Sequence, residues 1–324
     1  MLNGKCYLIN MSRLILVPQY PTKLRYQEWW FTQLPIEFSK HFHEVIVLGG
    51  DLDIRAERAR EGDFSPVNDS IVFETFQIRE YLALSLAQDD VLLLCDISYP
   101  GFFVNVLHHK KPNKCFAICH GTSKNNLDYF FDTRYSKFPM ESASAKLFDG
   151  IFVATEYHKK KLKWWGNVIV QPFPFPPFMG EGPLNKGHRH NTIVSVARQT
   201  IQKVTKTIEK AVEREYGKIV RSDCKDWWEY IFFLQNSKIL LITSKEETYG
   251  YQAIDAILNG CIPVAPRRYS YPELLPDFLL YEDKEDLIVL LDWLDTNPNR
   301  NQPVLWVEEQ AKNFYSNLAN IMKA

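Results

Sequence analysis

Apolar residues in the first half of the chain fall in short unbroken runs, at 14–17, 45–48, 91–95, 115–119, 151–154 and 168–170. Polar or amphipathic segments separate them, among them 27–42, 70–87 and 136–147. A strand that is apolar at every position is covered on both faces. That predicts a parallel sheet between layers of helix, an α/β arrangement. Pro35 lies inside the first helical segment and is expected to kink or split it, since proline removes an N–H and crowds the preceding turn. Residues 1–11 precede the first clear strand and read as a tail or an edge strand.

The pattern breaks at 171–182, QPFPFPPFMGEG, where Pro172, Pro174, Pro176 and Pro177 are followed by Gly180 and Gly182. Neither a helix nor a central strand tolerates that density, and the polar stretch 185–191 continues the interruption. The chain is therefore expected to divide into 1–172 and 173–324. The second half repeats the logic on a smaller scale. Strand 193–196, helix 206–216, a weak strand near Ile219, helix 227–235 and strand 239–242 are predicted, with helices at 285–294 and from about Val304. In the last, Val307, Ala311, Phe314, Leu318 and Ile321 recur at helical spacing and predict one buried face.

Composition changes this picture little. A chain of 324 residues suits two domains better than one. An apolar content of 46% and a formal charge of −1 describe an ordinary globular protein, so only local patches could bind a polyanion. The eight tryptophans serve either as large core residues or as stacking platforms. Cysteines at 6, 95, 115, 119, 224 and 261 include no Cys-x-x-Cys pair, and the expectation is a reduced, cytosolic protein. No apolar run is long enough to span a bilayer and no signal-peptide core is evident at the N-terminus.

Chemistry concentrates in 241–275, LITSKEETYGYQAIDAILNGCIPVAPRRYSYPELL. It reads as a strand, a loop carrying Glu247 and Gly250, a helix carrying Asp255, and a second strand after Asn259-Gly260. Two carboxylates and a run of uncommitted N–H groups at Tyr249, Gly250 and Tyr251 then share one sheet edge. A helix N-terminus attracts anions, and acidic side chains beside it grip hydroxyls. A nucleotide-sugar, a diphosphate between two polyols, has that chemistry. For Glu247 the plain alternative is a glutamate favoured by the helix dipole, and Glu246 is the rival residue.

The pattern Glu-x-x-Gly-x-x-x-x-Asp followed by Asn-Gly-Cys-x-Pro-Val resembles the donor-site signature of retaining glycosyltransferase family 4, whose fold is GT-B, two Rossmann-like α/β domains with parallel sheets facing across a cleft. With Ser-x-Lys before the glutamate and Tyr271-Pro272-Glu273 with Pro276 after it, the segment is locally most similar to the tRNA-queuosine mannosyltransferase type. A fainter likeness to phage DNA α-glucosyltransferases runs from Gly260 to Val264. The resemblance implies that Glu247 contacts the donor sugar, that Asp255 stands where the family has a ribose-binding glutamate, and that Arg198 and Lys203, just after the first strand of the second half, hold the diphosphate. Cations there stabilise the charge that develops on the leaving group. Lys206 is the alternative to Lys203, and Ala197 replaces the family's glycine before the arginine. His120, at the end of a strand of the first half, occupies the family's position for a residue touching the sugar; an isolated histidine there is otherwise structural. The resemblance also implies that the last helix packs back on the first half and that the sugar is transferred with retention.

The loop after the first strand departs from the family. Pro18-Gln19-Tyr20-Pro21-Thr22-Lys23 stands where many members have a Gly-Gly pair, and Gln19, Lys23, Glu28 and Trp29 become acceptor candidates. Lysines 159–163 beside Trp164 and Trp165 suit a phosphate backbone and a stacked base, or simply a solvated face. The acceptor expected first is a modified base in DNA or tRNA, and second a glycan, lipid or metabolite. There is no dinucleotide fingerprint, Walker loop, zincin motif or nucleophile elbow. Asp51-Leu52-Asp53 lies in a loop ill suited to a metal, so no metal or cofactor is expected beyond the nucleotide-sugar substrate. An epimerase on the same fold and a non-catalytic binding module are the readings from other classes.

Overall fold

The computed structural model describes residues 12–21, 26–50, 67–98, 100–125, 131–175, 190–196, 204–222, 224, 227–297 and 308–324. In the first half, β1 (Arg13–Val17), β2 (Glu44–Val47), β3 (Val91–Leu94), β4 (Lys114–Ile118), β5 (Gly150–Val153) and β6 (Val168–Val170) form one sheet in the order β2-β1-β3-β4-β5-β6. Every pairing in it is parallel. The connections carry α1 (Tyr26–Phe38), α2 (Val67–Ala83), α3 (Val104–Leu107), α4 (Arg134–Ala145) and α5 (Glu156–Lys161).

A second parallel sheet follows, from β7 (His190–Ser195), β8 (Val220–Arg221), β9 (Ser237–Leu241), β10 (Ile262–Pro266) and β11 (Leu280–Tyr281), in the order β11-β10-β9-β7-β8. Its helices are α6 (Lys206–Tyr216), α7 (Trp227–Gln235), α8 (Tyr251–Leu258), α9 (Tyr271–Leu274) and α10 (Lys284–Thr296). The chain ends with α11 (Glu308–Lys312) and α12 (Phe314–Lys323). The two sheets share one winding. Strand order reverses between β1 and β3 in the first and between β7 and β9 in the second, and ligands of open α/β sheets settle in such crevices at the carboxyl ends of the strands.

The unbroken apolar runs are explained by burial on both faces. Along β4, Phe116 and Ile118 join one core cluster with Leu14, Leu16, Leu93 and Phe152, while Cys115 and Ala117 join the opposite one with Ile15, Leu92 and Ile151. The first cluster does not stop at the sheet. It continues through Trp30, Phe173 and Tyr249 to Leu240, Ile254 and Phe314, so one apolar body joins both halves.

Two expectations need correction. α1 runs unbroken through Pro35 and ends at Phe38, with Trp30, Leu34 and Phe38 buried along one i, i+4, i+8 row. Proline there removes an amide only in the final turn, and that apolar row holds the helix together. The terminal segment is two helices, with Asn313 as the cap between them. The helix restarts at Phe314, so its buried face is Phe314, Leu318, Ala319 and Met322, and Ile321 is 36% exposed. Val304 and Val307 lie outside the described residues. α12 rests on the first half: Phe314 meets Trp30 at 5.8 Å, Tyr315 meets Phe38 at 5.5 Å, and Lys114 Nζ donates to the Lys323 carbonyl at 2.7 Å.

Phe314 is fully buried where α12, α1 and the crossing segment meet. Phe314→Ala is expected to cost about 3–5 kcal/mol of stability through the cavity it leaves, read as a lower urea midpoint. A midpoint unchanged from wild type would show that α12 does not hold the halves together.

Candidate active site

After β9 the chain turns at the crevice of the second sheet. Thr205 is pinned there, its N–H donating to Thr243 Oγ1 at 3.0 Å and its hydroxyl to the Thr243 carbonyl at 2.6 Å. Gly250 caps α8 with φ at +106°, in the left-handed region that favours glycine. A Cβ at Gly250 would also stand 3.0 Å from Leu274 Cδ1 and 3.1 Å from Tyr271 Cε1. Its close approach is to its own chain. Gly250 offers no side chain to cap α8, so the Tyr251 and Gln252 N–H groups gain no side-chain cap, whereas the Ala253 N–H already donates to the Gly250 carbonyl at 2.9 Å.

The opposite wall comes from the first half. Thr248 Oγ1 donates to the His120 carbonyl at 2.7 Å, joining the start of the α8 segment to the carboxyl end of β4. The His120 ring lies among Tyr26, Trp30 and Phe173, at 4.8, 5.0 and 4.9 Å between ring centres. Burial, helped by nearby His158, lowers its pKa to about 3, so the imidazole is neutral at physiological pH. The ring bonds the Cys95 backbone, and its buried Nε2 has no hydrogen-bond partner among the described residues. Tyr251 stacks on Tyr26 at 5.3 Å and accepts from Trp30 Nε1 at 3.2 Å. Tyr249 is buried and donates to the Phe173 carbonyl at 2.8 Å. Glu247 is half-buried beside Thr248, whose N–H it accepts at 3.2 Å.

His120, Glu247, Tyr249, Gly250 and Tyr251 are thus gathered at one seam. Asp255 lies deeper, its Oδ2 accepting from Tyr230 of α7 at 3.0 Å. Burial pushes its pKa up to about 7 against the opposing pull of that hydrogen bond. Of the acceptor candidates, Gln19 donates to Asp96 Oδ2 at 2.7 Å. Trp29 is half-buried with its indole N–H enclosed and without a hydrogen-bond partner among the described residues, and Glu28 is half-buried on α1. Lys23, Arg198 and Lys203 lie outside the described residues, as do Asp51 and Asp53. Among the described residues no group of three His, Cys, Asp or Glu side chains could hold a metal ion.

Several residues at the seam carry no sequence signal strong enough to assign them a role. Glu246, 7% exposed, accepts from Lys161 Nζ at 2.7 and 2.8 Å, from the Tyr157 hydroxyl at 2.8 Å and from Asn125 Nδ2 at 3.4 Å, all across the seam. Glu273 of α9 caps α5 from the other half, taking the N–H groups of Glu156 and Tyr157 at 2.7 Å each. Thr155 Oγ1 donates to the Thr248 carbonyl at 2.8 Å. The adjacent glutamates therefore differ: Glu246 joins the halves, while Glu247 is half-buried and holds the Thr248 N–H. The Tyr-Pro-Glu motif had marked Glu273 without giving it a task, and Lys161 was hidden in a lysine run.

No protein-family model matches the chain. A curated relative, a tRNA-queuosine alpha-mannosyltransferase of Drosophila melanogaster, is 28% identical over 94 residues, which is 29% of this chain and 25% of the relative's length. Among solved structures, the lipopolysaccharide outer core galactosyltransferase WaaB superposes with a TM-score of 0.62 at 12% identity, covering 97% of this chain and 100% of that one. A sucrose-phosphate synthase of Thermosynechococcus elongatus gives 0.58 at 12% identity, covering 96% and 94%. The S. aureus protein TarM, in complex with UDP, gives 0.51 at 17% identity over 75% of this chain and 54% of that one. The common architecture is the GT-B fold.

Two measurements probe the site's electrostatics. Lys161→Met strands the Glu246 carboxylate and is expected to cost about 2 kcal/mol or more, at the low end for a broken buried pair because Lys161 keeps 22% of its surface exposed. Chemical denaturation reads that cost, and an unchanged midpoint would mean the pair contributes nothing. Asp255 has a folded pKa above its unfolded value, so the folded state binds the extra proton between about pH 4 and pH 7 and stability falls as pH rises through that window. Asp255→Asn is expected to flatten this decline in melting temperature; parallel pH curves would contradict the assignment.

Proposed function

We propose that the chain is a glycosyltransferase that moves a sugar from a nucleotide-sugar to a hydroxyl with retention at the anomeric carbon. The observation that carries this reading is the meeting of the α8 N-terminus with His120, sealed by the Thr248 hydrogen bond. In this reading residues 1–172 receive the acceptor and 173–324 hold the donor. The uncapped Tyr251 and Gln252 amides at the start of α8, with Arg198 and Lys203, take the diphosphate. Val196 and Thr205, which flank that pair in sequence, are at the carboxyl edge of the second sheet, and Thr205 bonds to Thr243 after β9. Glu247 and the neutral His120 Nε2 offer acceptors to the sugar hydroxyls, and Asp255, backed by Tyr230, serves the ribose side.

No protein nucleophile is required. The C–O bond to the diphosphate breaks, the acceptor oxygen bonds the same carbon, and the departing phosphate takes the acceptor's proton on that face. The clamped cations stabilise the leaving charge, and the tight seam keeps out water that would hydrolyse the donor. No resident metal or cofactor enters the scheme. A reducing cytoplasm is the proposed compartment; Cys95 and Cys115 are buried, and no helix among the described residues is long and apolar enough to cross a membrane.

The acceptor we infer first is a base in DNA or tRNA, as the relative's name suggests for that protein. It is supported by the surface beyond α5. Trp165 is core, stacked on Phe138 at 6.4 Å, but Trp164 is 69% exposed with Lys163 Nζ 4.7 Å from its ring and Lys160 exposed nearby. An exposed indole among lysines suits a stacked base beside its phosphates. The neighbours named for lipopolysaccharide and for α-GlcNAc-glycerol favour a glycan instead.

A thermal-shift screen of UDP-, GDP-, dTDP- and ADP-sugars is expected to raise the melting temperature with one nucleotide class. Arg198→Ala or Lys203→Ala should lower turnover about 100-fold or more with the fold intact; near-normal turnover would remove the clamp. Salt-sensitive oligonucleotide binding that weakens in Trp164→Ala supports the nucleic-acid acceptor, and its absence favours a glycan.

A further inference from the structure

The crevice of the first sheet, between β1 and β3, holds a buried carboxyl that the donor scheme leaves unused. Asp96 follows β3 and is 7% exposed. Its Oδ2 accepts from Gln19 Nε2, which follows β1, at 2.7 Å. Its Oδ1 accepts from the Ser98 N–H at 3.0 Å and lies 2.9 Å from Ser98 Oγ. Ser98 Oγ is in turn 2.5 Å from the Gly121 carbonyl. A hydroxyl has one proton and a carbonyl can only accept, so the shorter contact claims the serine proton. The contact between Ser98 and Asp96 is then best satisfied when the carboxyl itself carries a proton.

The surroundings agree with a carboxyl poised to exchange that proton. Desolvation, with buried Glu74 of α2 adding repulsion, pushes the Asp96 pKa up to about 7, while the bonds from Ser98 and Gln19 pull the other way. Lys137 of α4 is the cation facing it, Cys95 precedes it in the chain, and the neutral His120 ring bonds the Cys95 backbone. Gln19 Oε1 is enclosed and has no hydrogen-bond partner among the described residues. The constellation is also tied to the seam. Ser98 holds the Gly121 carbonyl, and the preceding carbonyl, of His120, holds Thr248. Asp96 therefore sits on the first-half side of the same edge at which Glu247 and α8 present the donor.

We propose that Asp96 and Gln19 form the acceptor subsite, gripping two adjacent hydroxyls beside the reacting one, whether these are carried by a modified base or by a glycan. This rests on the glycosyltransferase reading. The Gln19 amide is bonded to the carboxyl at 2.7 Å, so the two groups adjoin, and neighbouring acceptor oxygens select an alcohol with two donors over one with a single donor. Asp96 touches the substrate without taking the reacting proton, which still leaves with the diphosphate as the new C–O bond forms. The ionised carboxyl accepts hydroxyl protons better than the protonated one, so acceptor use rises with pH through neutrality.

The test uses the full chain with whichever nucleotide-sugar raises its melting temperature most, following nucleoside diphosphate release with glycerol or propan-1-ol as the acceptor probe from about pH 5.5 to about pH 8.5. Glycerol is expected to stimulate release more than propan-1-ol, with kcat/KM for glycerol rising through about pH 7. Asp96→Asn should raise the glycerol KM about tenfold and abolish that rise, the donor's thermal shift serving as the check that the variant is folded. If Asp96→Asn does not fold, Gln19→Leu at a half-buried position should raise the same KM. Equal response to the two alcohols, or a folded variant with the wild-type KM and pH profile, overturns the subsite. A wild type that no nucleotide-sugar stabilises overturns the glycosyltransferase reading beneath it.

Discussion

The carbonyl of His120 accepts one hydrogen bond that the remaining geometry depends on, the one from the Thr248 hydroxyl. It fixes the end of β4 against the start of α8, and so brings together two sheet edges that fold from separate stretches of chain. Around it, contacts of different kinds act in the same direction. Glu246 pairs with Lys161, Glu273 caps α5, and the rings of Tyr26, Trp30, Phe173, Tyr249 and Tyr251 fill the space behind. The charges are placed where burial makes pairing matter, and the aromatics fill the seam around them.

The seam sorts its acidic side chains by environment. Glu246 is buried with a lysine, Glu247 is half-buried, and Asp96 and Asp255 are buried with no cation bonded to them among the described residues and have their pKa values raised to about 7. Two winding reversals, one per sheet, place Asp96 and the Glu247 loop at corresponding crevices. The two halves thereby contribute equivalent corners of their sheets to one line of contact.

Much of this was legible in the residues. Continuous apolar runs predicted parallel strands because both faces of β4 and its neighbours are covered, and the helices 206–216 and 227–235 stand at the predicted positions. The spacing of Glu247, Gly250 and Asp255 located the turn and helix at the seam. What sequence could not supply was partnership at long range. Nothing local marks Lys161 as the partner of Glu246, Tyr230 as that of Asp255, or Asp96 as that of Gln19, since each pair is joined only by the fold. Pro35 misled for a related reason: the buried row of Trp30, Leu34 and Phe38 overrides a local helix breaker.

Backbone hydrogen–deuterium exchange with and without the stabilising nucleotide-sugar tests the central claim most directly, because it reads the amides said to hold the donor. The account predicts slowed exchange at 248–254 in the first turns of α8, together with 95–98 and 120–121 across the seam. Protection confined to the far edge of the second sheet near β8, or none in either stretch while the donor is bound, would contradict it.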